Sequence, residues 1–341
     1  MVAVITTVTY PHHGVDRRGA RMFLALLAAA IGAASPPVDS PVPKAAATAK
    51  AGTLTDLTPD FAELADQTAT LSDIARVTAF HAHFDPLLPG YFNGKSERQP
   101  RFDITALRFL QSWPRQRAKI TQTAAAFGDA FARGQAHFKT AFLDYSLTVP
   151  VYLVHSIGQQ DGGTRTIGGR TVLFFGADVM AELHDETTIG PFLDHEIFHV
   201  YHERYFSGCM ALWCSLWKEG LATYAASRLN PGAGDRALLL TQPQPIRPKV
   251  EPRLADAMCG LRGKFDSVQR EDYAPFFLFG PARGPFPSRY GYFLGYLLAA
   301  KIGTTMPLQS LAKLPPDKVK PLLEAAIDGY GPCPPSAGIT P

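Results

Sequence analysis

The chain has 341 residues, of which 46% are hydrophobic and 18% charged, the composition of a folded protein with a sizeable core in one large domain or two modest ones. Disorder of the chain as a whole is thereby excluded. A net charge of +3 at pH 7, without basic stripes, argues against a nucleic-acid partner, and none is expected.

Arg17, Arg18 and Arg21 precede an apolar run over residues 22–31, and Gly32-Ala33-Ala34-Ser35 with two prolines follows, so residues 1–34 read as an export signal. The run is too short to cross a bilayer, and no stable membrane span is expected. The protein is expected to be exported, periplasmic or secreted, and an uncleaved leader would leave it tethered to the membrane. If Met22 is the start, the basic residues drop out and the signal weakens. Residues 35–53 form a Pro/Ala linker, and the folded body begins near Leu54. The four cysteines, Cys209, Cys214, Cys259 and Cys333, fit an exported protein with two disulfides, whose pairing the sequence leaves open. Metal ligation by Cys209 and Cys214 is the weaker alternative, because their gap is loose for a zinc knuckle.

Over residues 60–84 the apolar positions Phe61, Leu64, Ala65, Ala69, Leu71, Ile74, Val77, Phe80 and Phe84 recur near helical spacing and stop at Asp85-Pro86, which predicts one or two helices. His81 and His83, at the end of that run, read as surface or internally satisfied residues. A loop over 86–100 leads to two more predicted helices, 104–113 and an Ala-rich 118–145. The character changes at 149–155 and 170–176, β-branched and aromatic runs bounded by turn signals, which predict two strands of a small sheet. A short helix over 177–184 follows, and Thr187 or Thr188 is placed to cap the next one.

That next helix, expected over about 189–205, carries Asp194-His195-Glu196-Ile197-Phe198-His199. Residues four apart stand one turn apart on nearly the same face, so His195 and His199 can grip one ion. Glu196, about 100° round the axis, can deprotonate a metal-activated water without ligating the metal. A catalytic zinc needs a third protein ligand and an open position, and Glu219, heading a second apolar run, is the candidate. His202 shares the face of His195 but lies about 10 Å farther along the axis, so it is read as lining the cleft or hydrogen-bonding nearby.

With Glu219-Gly220-Leu221-Ala222 downstream of the H-E-x-x-H run, the chain resembles the gluzincin clan of zinc metallopeptidases, and more narrowly a bacterial group of predicted zinc-dependent proteases. The resemblance implies one Zn2+ held by His195, His199 and Glu219, and a peptide or protein substrate. Glu196 would act as general base and then as acid to the leaving amine. It also implies a sheet before the metal-site helix, with an edge strand that pairs with the substrate backbone. By that resemblance 171–176, with Thr171, Phe174 and Gly176, is the substrate-side strand. In the resembling group an Arg, a Gly-Tyr and a later Gly follow the metal site, which makes Tyr292, Tyr290 and Arg289, in that order, candidates for the oxyanion donor. Where thermolysin-like members place an Asp four residues after the ligand Glu, this chain has Thr223, and Asp194 is the candidate substitute for supporting a ligand ring.

The fold class expected is α+β, mostly α: a helical region over 54–148, a zincin-like metallopeptidase core over 149–330 with the small sheet at its start, and a tail over 331–341. Two other readings stay open, a non-catalytic zinc-binding envelope protein that retains the fold, and zinc hydrolysis of amides or esters other than peptides. The presence of Glu196 counts against the first.

Overall fold

The computed structural model describes residues 49–92, 99–282 and 284–333. The export signal, most of the linker and the tail beyond residue 333 lie outside the described residues. The described chain opens on β1 (Leu54–Asp56), and Asp56 starts the first helix by accepting from the main-chain N–H and the hydroxyl of Thr58 at 2.8 and 2.7 Å. α1 (Thr58–Gln67) and α2 (Asp73–Leu87) follow, the second capped by Ser72 Oγ, which accepts from the Ala75 N–H at 3.4 Å.

α3 (Gln99–Ala141) is one helix of 43 residues where two were expected, and Pro114 lies inside it. Pro86 likewise lies inside α2, which was expected to end there. An interior proline gives up a hydrogen bond at a cost of about 3 kcal/mol. In α3 that cost is offset by the stripe Ala106, Leu110, Trp113, Ile120, Ala124, Phe127, Phe131 and Phe138, buried at helical spacing. Each large apolar side chain so buried contributes about 1.5–3 kcal/mol.

The sheet has four strands among the described residues, adding to β1 the strands β2 (Val151–Val154), β3 (Thr164–Ile167) and β4 (Arg170–Gly176). Their order is β1-β2-β4-β3, with β1, β2 and β4 parallel and β3 antiparallel to β4. The expected pair, β2 and β4, is present, but β4 is not the edge. It lies between β2, with Val151 opposite Leu173, and β3, with Thr164 opposite Leu173. The assignment of Thr171, Phe174 and Gly176 to a substrate-side edge is therefore corrected: Phe174 and Gly176 are buried inside the sheet, and Thr171 is paired with Thr166. The true outer strand on that side, Thr-Arg-Thr-Ile, carries too little apolar pattern to stand out in the sequence.

Because β1 pairs with β2, the helical region and the later part of the chain share one sheet and one hydrophobic core. α4 (Ala177–Leu183), α5 (Ile189–His202) and α6 (Leu212–Leu229) follow β4. Thr188 stands at the N-cap of α5, but its hydroxyl accepts from the Asp185 N–H at 2.9 Å instead of capping the helix. Beyond come α7 (Arg247–Val250), α8 (Leu254–Arg262), α9 (Arg270–Phe277), α10 (Tyr290–Ile302), α11 (Leu308–Leu311) and α12 (Pro316–Asp328). The architecture is α+β and mostly α. Disulfides join Cys209, in the connection between α5 and α6, to Cys214 in the first turn of α6, and Cys259 to Cys333, tying α8 to the chain after α12. No helix among the described residues is long and apolar enough to cross a membrane.

Candidate metal centre

α5 is apolar nearly all the way round and packs against both α3 and α6, as a helix through the middle of a core must. Of its residues only Gly190, near its start, and Glu196 and His199 escape full burial, so the candidate chemistry sits on the least covered turn of the helix. His195 Nε2 and His199 Nε2 stand 3.0 Å apart, as the i, i+4 spacing requires. Glu219 Oε2, brought in from α6, lies 3.4 Å from the first and 3.3 Å from the second. Three donor atoms so close, two nitrogens and one carboxylate oxygen, could hold a single metal ion.

The position of Glu219 is fixed by the residue after it. A Cβ on Gly220 would stand 2.2 Å from the Gly295 carbonyl carbon, and one on Gly295 would stand 2.4 Å from the Leu216 carbonyl oxygen. α6 and α10 therefore cross backbone to backbone, with no room for any side chain at either glycine. The Glu-Gly pair couples the ligand to that crossing.

Charge in the cluster is arranged for ligation. Burial works against ionisation of Glu219, yet His199 and His195 beside it hold its carboxyl well below the usual range. Burial pushes His195 down to about 4 against the pull of Glu219, with His199 and Arg289 adding to the fall. An ionised carboxylate and a neutral imidazole are the forms in which these groups bind metal. His199 is also depressed by burial, but Glu219 more than compensates and raises it above its ordinary value.

Glu196 stands outside the triangle, as its place on the helix requires. Burial raises its carboxyl to about 7, with Glu219 and Asp161 adding to the rise and His199 and Arg165 opposing it. A carboxyl that titrates near neutrality can both take and return a proton at that pH.

Of the three expected oxyanion donors, two reach the centre. The Tyr292 ring is buried and stacks on His195, 6.3 Å between centroids and 26° between planes. Burial, with the Glu219 charge, holds its hydroxyl protonated well above the ordinary range, while Arg289 opposes the shift. Arg289 precedes α10 in a left-handed conformation, φ 68°, and its main-chain N–H donates to the Pro275 carbonyl at 3.0 Å. Its guanidinium lies 4.2 Å from the Phe279 ring and 4.4 Å from the Tyr292 ring, and its Nε is buried without a partner. Tyr290 is placed elsewhere, packed against Phe276 and Phe286 at 4.5 and 5.1 Å. Two residues on a helix are about 200° apart, so 290 and 292 cannot share a face.

His202 belongs to the core, where it stacks on Phe198 and Phe206 and its Nε2 has no partner. Asp194 accepts from Asn230 Nδ2 at 2.7 Å and its other oxygen is unpartnered, so it turns from the ligand rings. Thr223 donates to the Glu219 carbonyl at 2.8 Å. His81 and His83 pair with Asp85, Asp103 and Asp60, as satisfied residues.

Two further groups at the centre gave no sequence signal. Tyr273 of α9 lies close enough to Glu219 for that charge to raise its hydroxyl, after burial, above the ordinary range. Arg165 of β3 faces Glu196 across Gly163, where a Cβ would meet Glu196 Oε2 at 3.8 Å and Arg165 Nη1 at 3.5 Å. Both come from elements whose apolar pattern is weak, and only the tertiary fold brings them to the histidines. Compared with protein-family models, curated proteins and solved structures, the chain matches none significantly.

Proposed function

We propose that this protein is a zinc metallopeptidase, a reading carried by one observation: three donors from two helices converge on a point, and the carboxyl of Glu196 stands beside them on the same turn of α5. Tetrahedral ligands about 2.1 Å from a zinc ion stand about 3.4 Å from one another, and the separations of 3.0, 3.3 and 3.4 Å fit that ion. When bound, zinc would act as a Lewis acid toward a carbonyl and would acidify a water.

The side chains divide the remaining work. Glu196 takes a proton from the attacking water and delivers it to the leaving amine, so its carboxyl ends each cycle as it began. Tyr292, kept as a neutral hydroxyl, and Arg289 donate toward the charge that develops on the carbonyl oxygen. The outer side of β3, bounded where the Gly168 N–H donates to the Pro89 carbonyl at 3.1 Å, receives the substrate's main chain. Gly163 and Phe174 form a hydrogen-bonded pair, the Phe174 N–H donating at 2.9 Å, so by antiparallel alternation Thr164 and Thr166 direct their main-chain groups outward. The resemblance of the two site motifs to gluzincins supports the same assignment.

The test is metal analysis of the purified protein joined to cleavage of a mixed peptide library. The expected result is one zinc per chain and cleavage that a chelator abolishes and zinc restores. Glu196→Gln should keep the zinc and lose about 10²–10⁴-fold in turnover, the range for losing a general acid–base group. Undiminished cleavage by that variant overturns the mechanism. Zinc without cleavage would instead favour the non-catalytic envelope protein, and turnover of esters or simple amides alone would favour a different hydrolase.

A further inference from the structure

Arg165 lies on the outermost strand of the sheet and is half-buried beside Glu196. Its Nη1 donates to the Thr164 carbonyl at 2.7 Å. That carbonyl points away from β4, so the guanidinium is drawn to the free side of the strand, along the line an added peptide would follow. No carboxylate among the described residues comes within 4.0 Å of it; Glu196 and Asp161 act on it only from farther away. Its Nη2 is buried with no hydrogen-bond partner, and the same is true of the neighbouring Tyr91 hydroxyl. Tyr91 is held by packing, its ring 4.3 Å from that of Phe174.

A guanidinium that is sequestered, unpaired and next to the general base is a receptor lacking its anion. Its planar fork matches a carboxylate, and the Tyr91 hydroxyl adds a second kind of donor. Arg165 also caps the Thr164 carbonyl, which shortens the stretch of edge open to a continuous peptide strand. From this arrangement we infer that Arg165 receives a carboxylate of the substrate close to the scissile bond, so that the favoured peptides carry there either a free C-terminal carboxylate or an acidic side chain. This inference rests on the peptidase reading of the metal centre.

Two sets of N-acetylated peptides test it and separate the sources. One set compares a neutral peptide ending in a free carboxylate with its C-terminal amide. The other compares Glu with Gln on either side of the scissile bond in C-terminally amidated peptides. Binding is measured by fluorescence anisotropy on Glu196→Gln, and kcat/KM on the wild type. A charge-assisted hydrogen bond is worth about tenfold or more, so one set should show at least that preference for the carboxylate. Arg165→Gln should bring the ratio to about one, with Arg165→Lys between. The Lys variant serves where the Gln variant does not fold, and zinc content and far-UV circular dichroism check both. Ratios near one in both sets, absence of binding by every peptide, or a preference that survives Arg165→Gln overturns the inference. A binding preference without any cleavage sinks the peptidase reading alone, and cleavage without preference sinks this inference alone.

Discussion

Burial separates two histidines that the sequence presents alike. His199 is partly exposed and shares Glu219 with His195, whereas His202 is sealed between Phe198 and Phe206. Burial pushes His202 well below its ordinary value, with His199 and Lys218 adding to the fall. In the folded protein the ring therefore stays neutral, while the unfolded chain takes up a proton as pH drops below about 6.5. Its contribution to stability is present above that pH and is lost as pH falls through it. We expect His202→Phe to keep one zinc per chain and to show a smaller drop in melting temperature between pH 7.5 and 5.5 than the wild type. Loss of zinc, or an unchanged slope, would put His202 back among the functional groups. Tyr292 poses the converse case, a buried group with its ring on a ligand. Tyr292→Phe should lower kcat about 10²–10³-fold, the cost of one oxyanion donor, and leave KM within a few-fold. An effect confined to KM would mean that the ring serves packing alone.

Among elements, the crossing of α6 and α10 at Gly220 and Gly295 sets how far Glu219 reaches toward the two histidines. Gly295→Ala forces the helices apart, and overpacking of this kind costs about 1–3 kcal/mol. Because Glu219 precedes the contact, zinc affinity should fall together with the urea midpoint, by dialysis against a competing chelator. A lower midpoint with unchanged affinity would show that the crossing does not position the ligand. The same elements explain what could be read from the sequence. His195, Glu196 and His199 announce themselves because one turn of helix fixes their relation, and Glu219 because Glu219-Gly220-Leu221-Ala222 follows downstream, although the helix that carries it begins a full two turns earlier, at Leu212. Pro114 misleads because a proline reads as a boundary unless the burial of Trp113, Ile120 and their neighbours is known. β3 escapes because Thr164, Arg165 and Thr166 make no apolar alternation, and an outer strand needs none. With β3 giving no signal, the resemblance alone assigns the substrate side to 171–176, and Arg165 stands in no motif of its own.

On the scale of the whole molecule, the two disulfides have different reach. The bond from Cys259 to Cys333 closes a span of 74 residues and gathers α8 to α12 into one loop, whereas that from Cys209 to Cys214 closes only 5. In the loop-closure account, the constraint on the unfolded chain is worth about 4 kcal/mol for the long loop and about 2 kcal/mol for the short one. Stability and metal affinity should therefore respond in opposite order. Replacing Cys259 and Cys333 by alanine should give the larger fall in the denaturation midpoint, with zinc binding in the folded protein little changed. Replacing Cys209 and Cys214 should cost less stability but weaken zinc more, because that bond pins the chain leaving α5, which carries both histidines, to the first turn of α6, which carries Glu219. Chemical denaturation and zinc competition on the two double variants decide the point. If the long-loop variant loses more of both, the metal site depends on the closure of the loop from α8 to the chain after α12 and not on the local bond at the start of α6.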